Sequence, residues 1–239
     1  MWYPQEKDEL EREVRRFLSC GEGRKGVHGI IVPHAGYVFS GAVAGQAYSM
    51  ISGIAKKAVV LSPSHYIPLA GVLSHNKDFW ETPLGKLSVN DFGFRTQKID
   101  LKREHAIDNQ IPFLQEAGVK EILPLMVGEI DLDEAEDFAK RLSKIYSEEK
   151  ELVFVFSTDL SHFLSYDSAV EKDLRTIRAI ENLDLKGLKE NCACGFFPLL
   201  IFFSLARMRR WRAKLIDYKN SGDVTEDKSR VVGYGAFWF

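Results

Sequence analysis

Three short runs of the chain are almost continuously apolar or β-branched: residues 27–32, 58–61 and 152–156. Runs of this length without alternation suit strands buried on both faces, at the centre of a sheet. Elsewhere the apolar positions fall at three- and four-residue spacing, which predicts helices over residues 4–19, 40–52, 104–117 and 133–146. Pro4 opens the first, whose Leu10, Val14, Phe17 and Leu18 share one face, and Ser40 reads as the N-cap of the second. Two more helices are expected over 169–182 and 194–208, then strands over 213–218 and 230–238, so that the chain ends inside the sheet. Residues 70–90, with Pro83, Gly85 and alternating apolar positions, read as a hairpin bordering the sheet. Strands alternating with helices imply an α/β fold of three layers, a largely parallel central sheet with helices on both faces. Neither repeat nor low-complexity linker interrupts the 239 residues, so they are read as a single domain, 1–239.

Composition narrows the class of partner. With 45% apolar and 12% aromatic residues the chain has ample core material and no signature of disorder. The formal net charge is −2. The one basic cluster, Arg207, Arg209, Arg210, Arg212 and Lys214, ends an apolar helix, where cations complement the helix dipole and snorkel from the core. No nucleic-acid partner is expected. Residues 1–18 lack the apolar core of a signal peptide, and the longest apolar run, 196–206, contains Pro198 and falls far short of the roughly 20 residues that span a bilayer. No membrane partner and a cytoplasmic location are the expectation. Cys20, Cys192 and Cys194 cannot all pair with one another, which leaves at least one free thiol.

Each buried run ends in a short polar segment: Pro33-His34-Ala35-Gly36-Tyr37, then Ser62-Pro63-Ser64-His65-Tyr66, then Ser157-Thr158-Asp159-Leu160-Ser161-His162. In open α/β sheets ligands bind beyond the carboxyl ends of the strands, so these loops are expected to meet at one crevice. A single histidine at a strand end is ordinarily a hydrogen-bonded structural residue, but three such ends together point to a functional cleft. His28 and His75 have no such setting. His34 and His65 offer two imidazoles suited to Zn, Fe, Cu or Ni, and a third donor is available from the Asp159 carboxylate or the Cys194 thiol. Cys194 stands between Ala193 and Gly195 at an expected helix N-terminus, a setting that lowers a thiol pKa. Cys192 reads as packing. The segment Glu104-His105-Ala106-Ile107-Asp108 reads either as an exposed charged face or as an outer shell that orients ligands and moves protons.

The ordered set Val32-Pro33-His34-Ala35-Gly36-Tyr37 with Ser40-Gly41, Ser62-Pro63-Ser64-His65, Glu104-His105 with Gln110 and Pro112, Ser157-Thr158-Asp159-Leu160-Ser161-His162, Cys194-Gly195 and Val231-Val232-Gly233-Tyr234 resembles the Memo family. The resemblance covers nearly the whole chain. It implies the α/β fold of the class III extradiol dioxygenases, with His34, His65 and Cys194 as metal ligands and Asp159, His162 and His105 lining the same pocket. His162 would stand where those dioxygenases keep an acid–base histidine, and Cys194 where they keep a carboxylate ligand. A thiolate tilts a site toward Cu(I), Zn or sulfur-bound iron and away from ring-cleaving chemistry on carboxylate-held Fe(II). Phe196 and Phe197, after Gly195, are expected to wall the site.

Three functions compete on these residues. The first is a metal-dependent oxidoreductase, with one Fe(II) or Cu ion on His34, His65 and Cys194 and with His162, His105 and Asp159 as the catalytic group. The second is a binding module that takes a small molecule or peptide in the same cleft, where Tyr37, Tyr66 and Phe163 would form the mouth. The third is a zinc-dependent hydrolase. No dinucleotide or Walker fingerprint is present. The terminal run Phe237-Trp238-Phe239 suits a homodimer contact as readily as a sheet closure.

Overall fold

The computed structural model describes residues 2–19, 21–191 and 193–239. In chain order its elements are α1 (Lys7–Leu18), β1 (Gly29–Val32), α2 (Tyr37–Ile51), β2 (Lys57–Pro63), β3 (Val72–His75), β4 (Phe79–Thr82), β5 (Gly85–Val89), β6 (Gln97–Ile99), α3 (His105–Asp108) and α4 (Ile111–Glu116). There follow β7 (Glu121–Val127), α5 (Leu132–Glu148), β8 (Leu152–Ser157), β9 (His162–Leu164), α6 (Tyr166–Asn182), α7 (Leu185–Asn191), α8 (Phe196–Arg209), β10 (Lys214–Asn220), α9 (Gly222–Thr225) and β11 (Val231–Trp238).

The three apolar runs become β1, β8 and β2, side by side and parallel, with β7 parallel on the far side of β2. Antiparallel strands flank this parallel centre, β11 and then β10 beyond β1, and β3 beyond β7, in the order β10-β11-β1-β8-β2-β7-β3-β6. Both faces are covered, as the lack of alternation requires. Phe154 and Phe156 of β8 pack with α5, α6 and α8, while Val153 and Val155 face the layer built from α1, α2 and α4. The sheet is therefore mixed, parallel at its centre, within an α/β architecture. Helix α8 is apolar nearly all round and runs through one of these layers.

Several local expectations are corrected. Helix α2 starts at Tyr37 with Gly36 as N-cap, and Ser40 instead donates its hydroxyl to the Ala35 carbonyl at 3.0 Å. The buried Tyr37 ring draws the chain into helix earlier than the polar signal suggests. The helix expected over 104–117 is split, because Pro112 lacks an N–H and is tolerated only in a first turn, where it sits in α4. The interruption frees Gln110 and Asn109 for side-chain bonds described below. Strand β7 was hidden by Pro124, a residue that argues against a central strand. Pro124 falls where the flanking partner of β7 changes, from β5 at Glu121 and Ile122 to β3 at Leu125, Met126 and Val127. The segment 70–90 holds β3 as well as the β4–β5 hairpin.

The terminal aromatic run is interior to the sheet. Strand β11 lies between β10 and β1, with Phe237 and Phe239 buried. Among the described residues no helix is long and apolar enough to cross a membrane.

Candidate functional site

Because β1, β8 and β2 are adjacent and parallel, their carboxyl ends deliver His34, Asp159 and His65 to one place. The loops are stitched together: the His34 N–H donates to Asp159 Oδ1 at 2.8 Å, and the Thr158 N–H to the Val32 carbonyl at 2.8 Å. His34 is 2% exposed and Asp159 4%. A cleft of about 630 Å³ opens over them, lined among others by His65, His105, His162 and Trp2.

The proton on His34 can be located from its neighbours. Ser157, at the end of β8, donates its single hydroxyl proton to the Ala106 carbonyl at 2.8 Å, since a carbonyl can only accept. Its oxygen therefore accepts from Gln110 Nε2 at 3.0 Å and from His34 Nδ1 at 2.8 Å. Gln110 is itself held by the Tyr48 hydroxyl at 2.8 Å and donates to the Pro33 carbonyl at 3.1 Å. His34 thus carries its proton on Nδ1 and turns the Nε2 lone pair inward. Burial, with the nearby His65 and His105, holds its pKa well below the usual imidazole range, so the ring is neutral.

His65 is set in the same way. Its N–H and Nδ1 both reach Glu104, at 2.8 Å to Oε2 and 2.8 Å to Oε1, which again leaves Nε2 as the free nitrogen. Glu104 is 3% exposed and caps α3 by accepting the Ala106 N–H at 3.1 Å. Burial alone would raise its pKa, but the bonds from His65 and Ala106 outweigh it and keep the carboxylate ionised. The exposed-face reading of this segment is overturned at Glu104. Asp108 also has an inward role, accepting the Tyr3 hydroxyl at 2.7 Å and the Trp80 N–H at 2.7 Å. His105 lies against the Trp2 indole, stacked with ring centroids 4.2 Å apart, and its Nδ1 is 2.9 Å from the Tyr66 hydroxyl.

Cys194 comes to the same point from the loop before α8. Its sulfur is 3.3 Å from His34 Nε2 and accepts the Asp159 N–H at 3.0 Å. The glycine beside it is needed, because a Cβ on Gly195 would stand 2.5 Å from Thr158 Cβ and 2.7 Å from the Ser157 carbonyl oxygen. Gly195, not Cys194, is the N-cap of α8, and desolvation, reinforced by the Asp159 charge, drives the thiol pKa up. The expected lowering by the helix dipole is thus corrected: the loss of water at the sulfur is the larger effect.

His162 begins β9 and lines the cleft, with Nδ1 donating to the Leu160 carbonyl at 3.0 Å so that Nε2 is free to accept a proton. Burial raises the Asp159 pKa, against the opposing pull of the His34 N–H and the neighbouring histidines. Phe163 and Val38 stand at the mouth, 61% and 68% exposed. Phe196 and Phe197 pack against the helix layer behind the sheet and do not wall the cleft. His28 stacks on Trp211 and His75 packs by Trp80, away from the cleft as expected. Cys192, read as packing, lies outside the described residues, as does Cys20.

The residues that sequence reasoning passed over are Trp2, Ser157, Gln110 and Asn109. Asn109 donates to the His34 carbonyl at 2.6 Å while its own carbonyl takes the Tyr37 hydroxyl at 2.7 Å. No periodicity marks any of them, although Ser157 and Gln110 fall within the quoted motifs.

The donor set fits a metal ion. The His34 Nε2 lone pair, the Cys194 sulfur and Asp159 Oδ2, 3.8 Å from that nitrogen, face one another with only the thiol proton to share. Such a concentration of electron pairs is what a cation relieves. Nitrogen atoms of His34, His65 and His105 also lie within 4.8 Å of one another.

Comparison with known proteins agrees with the motifs. The family model described as Memo-like protein matches residues 1–238. A MEMO1 family protein of Sulfolobus acidocaldarius is 36% identical over 85% of this chain and 79% of its own length, and one of Aquifex aeolicus is 34% identical over 98% and 94%. Among solved structures, the uncharacterized protein JW3007 from Escherichia coli K12 aligns with a TM-score of 0.50 at 11% identity, over 87% of this chain and 98% of that one, a likeness of fold alone. On the length of the family match and the identity of these relatives, the chain belongs to the Memo-like family.

Proposed function

We propose that this protein binds one transition-metal ion, iron or copper, through His34, His65 and Cys194, and uses it for oxidoreductase chemistry on a small molecule held in the cleft. The observation that carries the reading is the tautomer of His34: Ser157 holds the proton on Nδ1, and Nε2 is turned to a sulfur at 3.3 Å. Purely structural histidines have no need of a lone pair aimed at a thiol. Cys194 would give up its proton to solvent to hold an ion there, and a redox metal would supply electron transfer to or from the bound substrate. The chain's own residues do the remainder. His162 Nε2 accepts or returns a proton at the mouth, Asp159 holds the His34 backbone, and the stitched loops exclude water from the inner wall.

Anaerobically purified protein should carry about one metal per chain by elemental analysis. His34→Ala and Cys194→Ser should each lose it. Full occupancy in both variants would remove the proposal, and zinc as the sole bound metal would favour hydrolysis over redox chemistry.

A second reading, a binding site for a peptide or small ligand, draws on the exposed Val38 and Phe163 at the mouth. Ligand affinity unchanged by chelation would favour it.

A further inference from the structure

We propose that His105 is a ligand of the same ion, so that the centre carries three imidazoles, from His34, His65 and His105, beside the Cys194 sulfur. This inference rests on the metal reading above and adds a donor that the reading had left to proton transfer.

The argument starts from ring geometry. An imidazole nitrogen bound at 2.0–2.1 Å puts its ring centroid roughly 3.2 Å from the ion, and two such rings at a tetrahedral angle have centroids about 5.2 Å apart. Here the separations are 5.0 Å for His34 and His65, 5.4 Å for His34 and His105, and 4.5 Å for His65 and His105. All three fall around the value for a shared ion. The rings meet at interplanar angles of 76°, 90° and 42°, two pairs edge-to-face and one tilted.

The second argument is that all three rings are tied through Nδ1. Ser157 holds that nitrogen of His34, Glu104 that of His65, and the Tyr66 hydroxyl that of His105, with Glu104 Oε1 a further 3.4 Å from it. One buried carboxylate thereby serves two neighbouring rings. The Tyr66 hydroxyl can give or accept at His105, but the Glu104 carboxylate can only accept and so favours the proton on Nδ1. Such outer partners set the tautomer and ring direction of metal-bound histidines and leave Nε2 as donor. The indole of Trp2, 12° from parallel with His105, holds that ring by its face. A ring clamped on its face and at one nitrogen is poorly suited to swing as a proton carrier and well suited to be a fixed donor. His162, by contrast, has an exposed ring at the mouth, on the short strand β9. Proton transfer therefore falls to His162, and His105 joins the ligands.

Three imidazoles leave the fourth position of a tetrahedral shell for the Cys194 sulfur, which lies 3.3 Å from His34 Nε2, or for a water or substrate group.

The test uses the full chain, freed of metal, and zinc(II) alone as the probe. Long-range ¹H–¹⁵N spectra should show the Nε2 resonances of His34, His65 and His105 moving together on saturation, with those of His28 and His75 as unmoved internal references. His105→Phe keeps a flat ring against Trp2 but has no donor. It should weaken zinc binding by more than about 100-fold, beyond the 10–100-fold that loss of an outer partner costs. If His34 and His65 respond to zinc and His105 does not, the inference is overturned, whatever the affinity of the variant. Wild-type affinity in a folded His105→Phe would overturn it as well. If that variant does not fold, the wild-type spectra decide alone. Zinc that moves none of the rings would sink the metal reading and this inference with it.

Discussion

At the scale of single residues the site is governed by which atom holds which proton. Ser157 is the pivot, because its one hydroxyl gives to Ala106 and receives from both Gln110 and His34 at 0% exposure. Ser157→Ala would strand two buried donors and one buried acceptor, at a cost of about 1–3 kcal/mol for each group left without a partner. The variant should unfold at lower denaturant. It should also bind metal roughly 10–100-fold more weakly, since His34 could then move its proton to Nε2. Chelator competition measures the second effect, and unchanged affinity would show that the serine does not set the ring. Glu104 holds the corresponding position for His65, and an amide at 104 would turn a donor toward either the His65 ring nitrogen or the His65 backbone N–H, both of which themselves donate.

Between elements, the decisive feature is how closely α8 approaches the end of β8. Gly195 leaves room for only a hydrogen there, and a Cβ would press on Thr158 and the Ser157 carbonyl. Gly195→Ala should cost about 1–3 kcal/mol as an overpacked contact and draw Cys194 off its 3.3 Å approach to His34. Metal occupancy should fall with little change in far-ultraviolet circular dichroism, and full occupancy would argue that the sulfur is not a ligand. Gly233 plays a similar part on β11, where a Cβ would collide with Asp173 Oδ2. That carboxylate accepts the Ser161 N–H at 2.8 Å and the Tyr218 hydroxyl at 2.9 Å, and so anchors the loop that carries His162. These approaches explain what the sequence could and could not disclose. The strand ends bearing His34, His65 and Asp159 were legible because fully buried parallel strands leave continuous apolar runs. Strand β7 was not, because its proline sits where two short partners meet, a circumstance visible only in three dimensions. The buried role of Glu104 and the reach of Trp2 depend on contacts between distant segments and leave no periodic trace.

Over the whole molecule, the proposed ligands come from the loops after β1 and β2, from the start of α3 and from the loop before α8, so a bound ion would tie both halves of the chain. Saturation at 100 times the dissociation constant should add about 2.7 kcal/mol to stability, and chelation should remove it. Scanning calorimetry with and without chelator checks this. Acid should act in the opposite direction. Burial lowers the pKa of His28, His75 and His105, and of His34 most of all, so the folded chain takes up these protons less readily than the unfolded chain. The stability they contribute is present in full above the unfolded value, near 6.5, and is lost as pH falls below it. The midpoint of thermal unfolding of metal-free protein should therefore drop between about pH 7 and pH 5. His28→Phe, which keeps an aromatic ring against Trp211, should show a shallower drop, and an identical slope would acquit His28.

The indole that lies flat on His105 has a consequence for observation. Trp2 is 43% exposed, whereas Trp80 is fully buried, so its emission should be red-shifted and separable from that of the interior. A paramagnetic occupant of the cleft should darken this lamp and a closed-shell occupant should leave it lit, letting the chain report by its own light which kind of ion it has taken up.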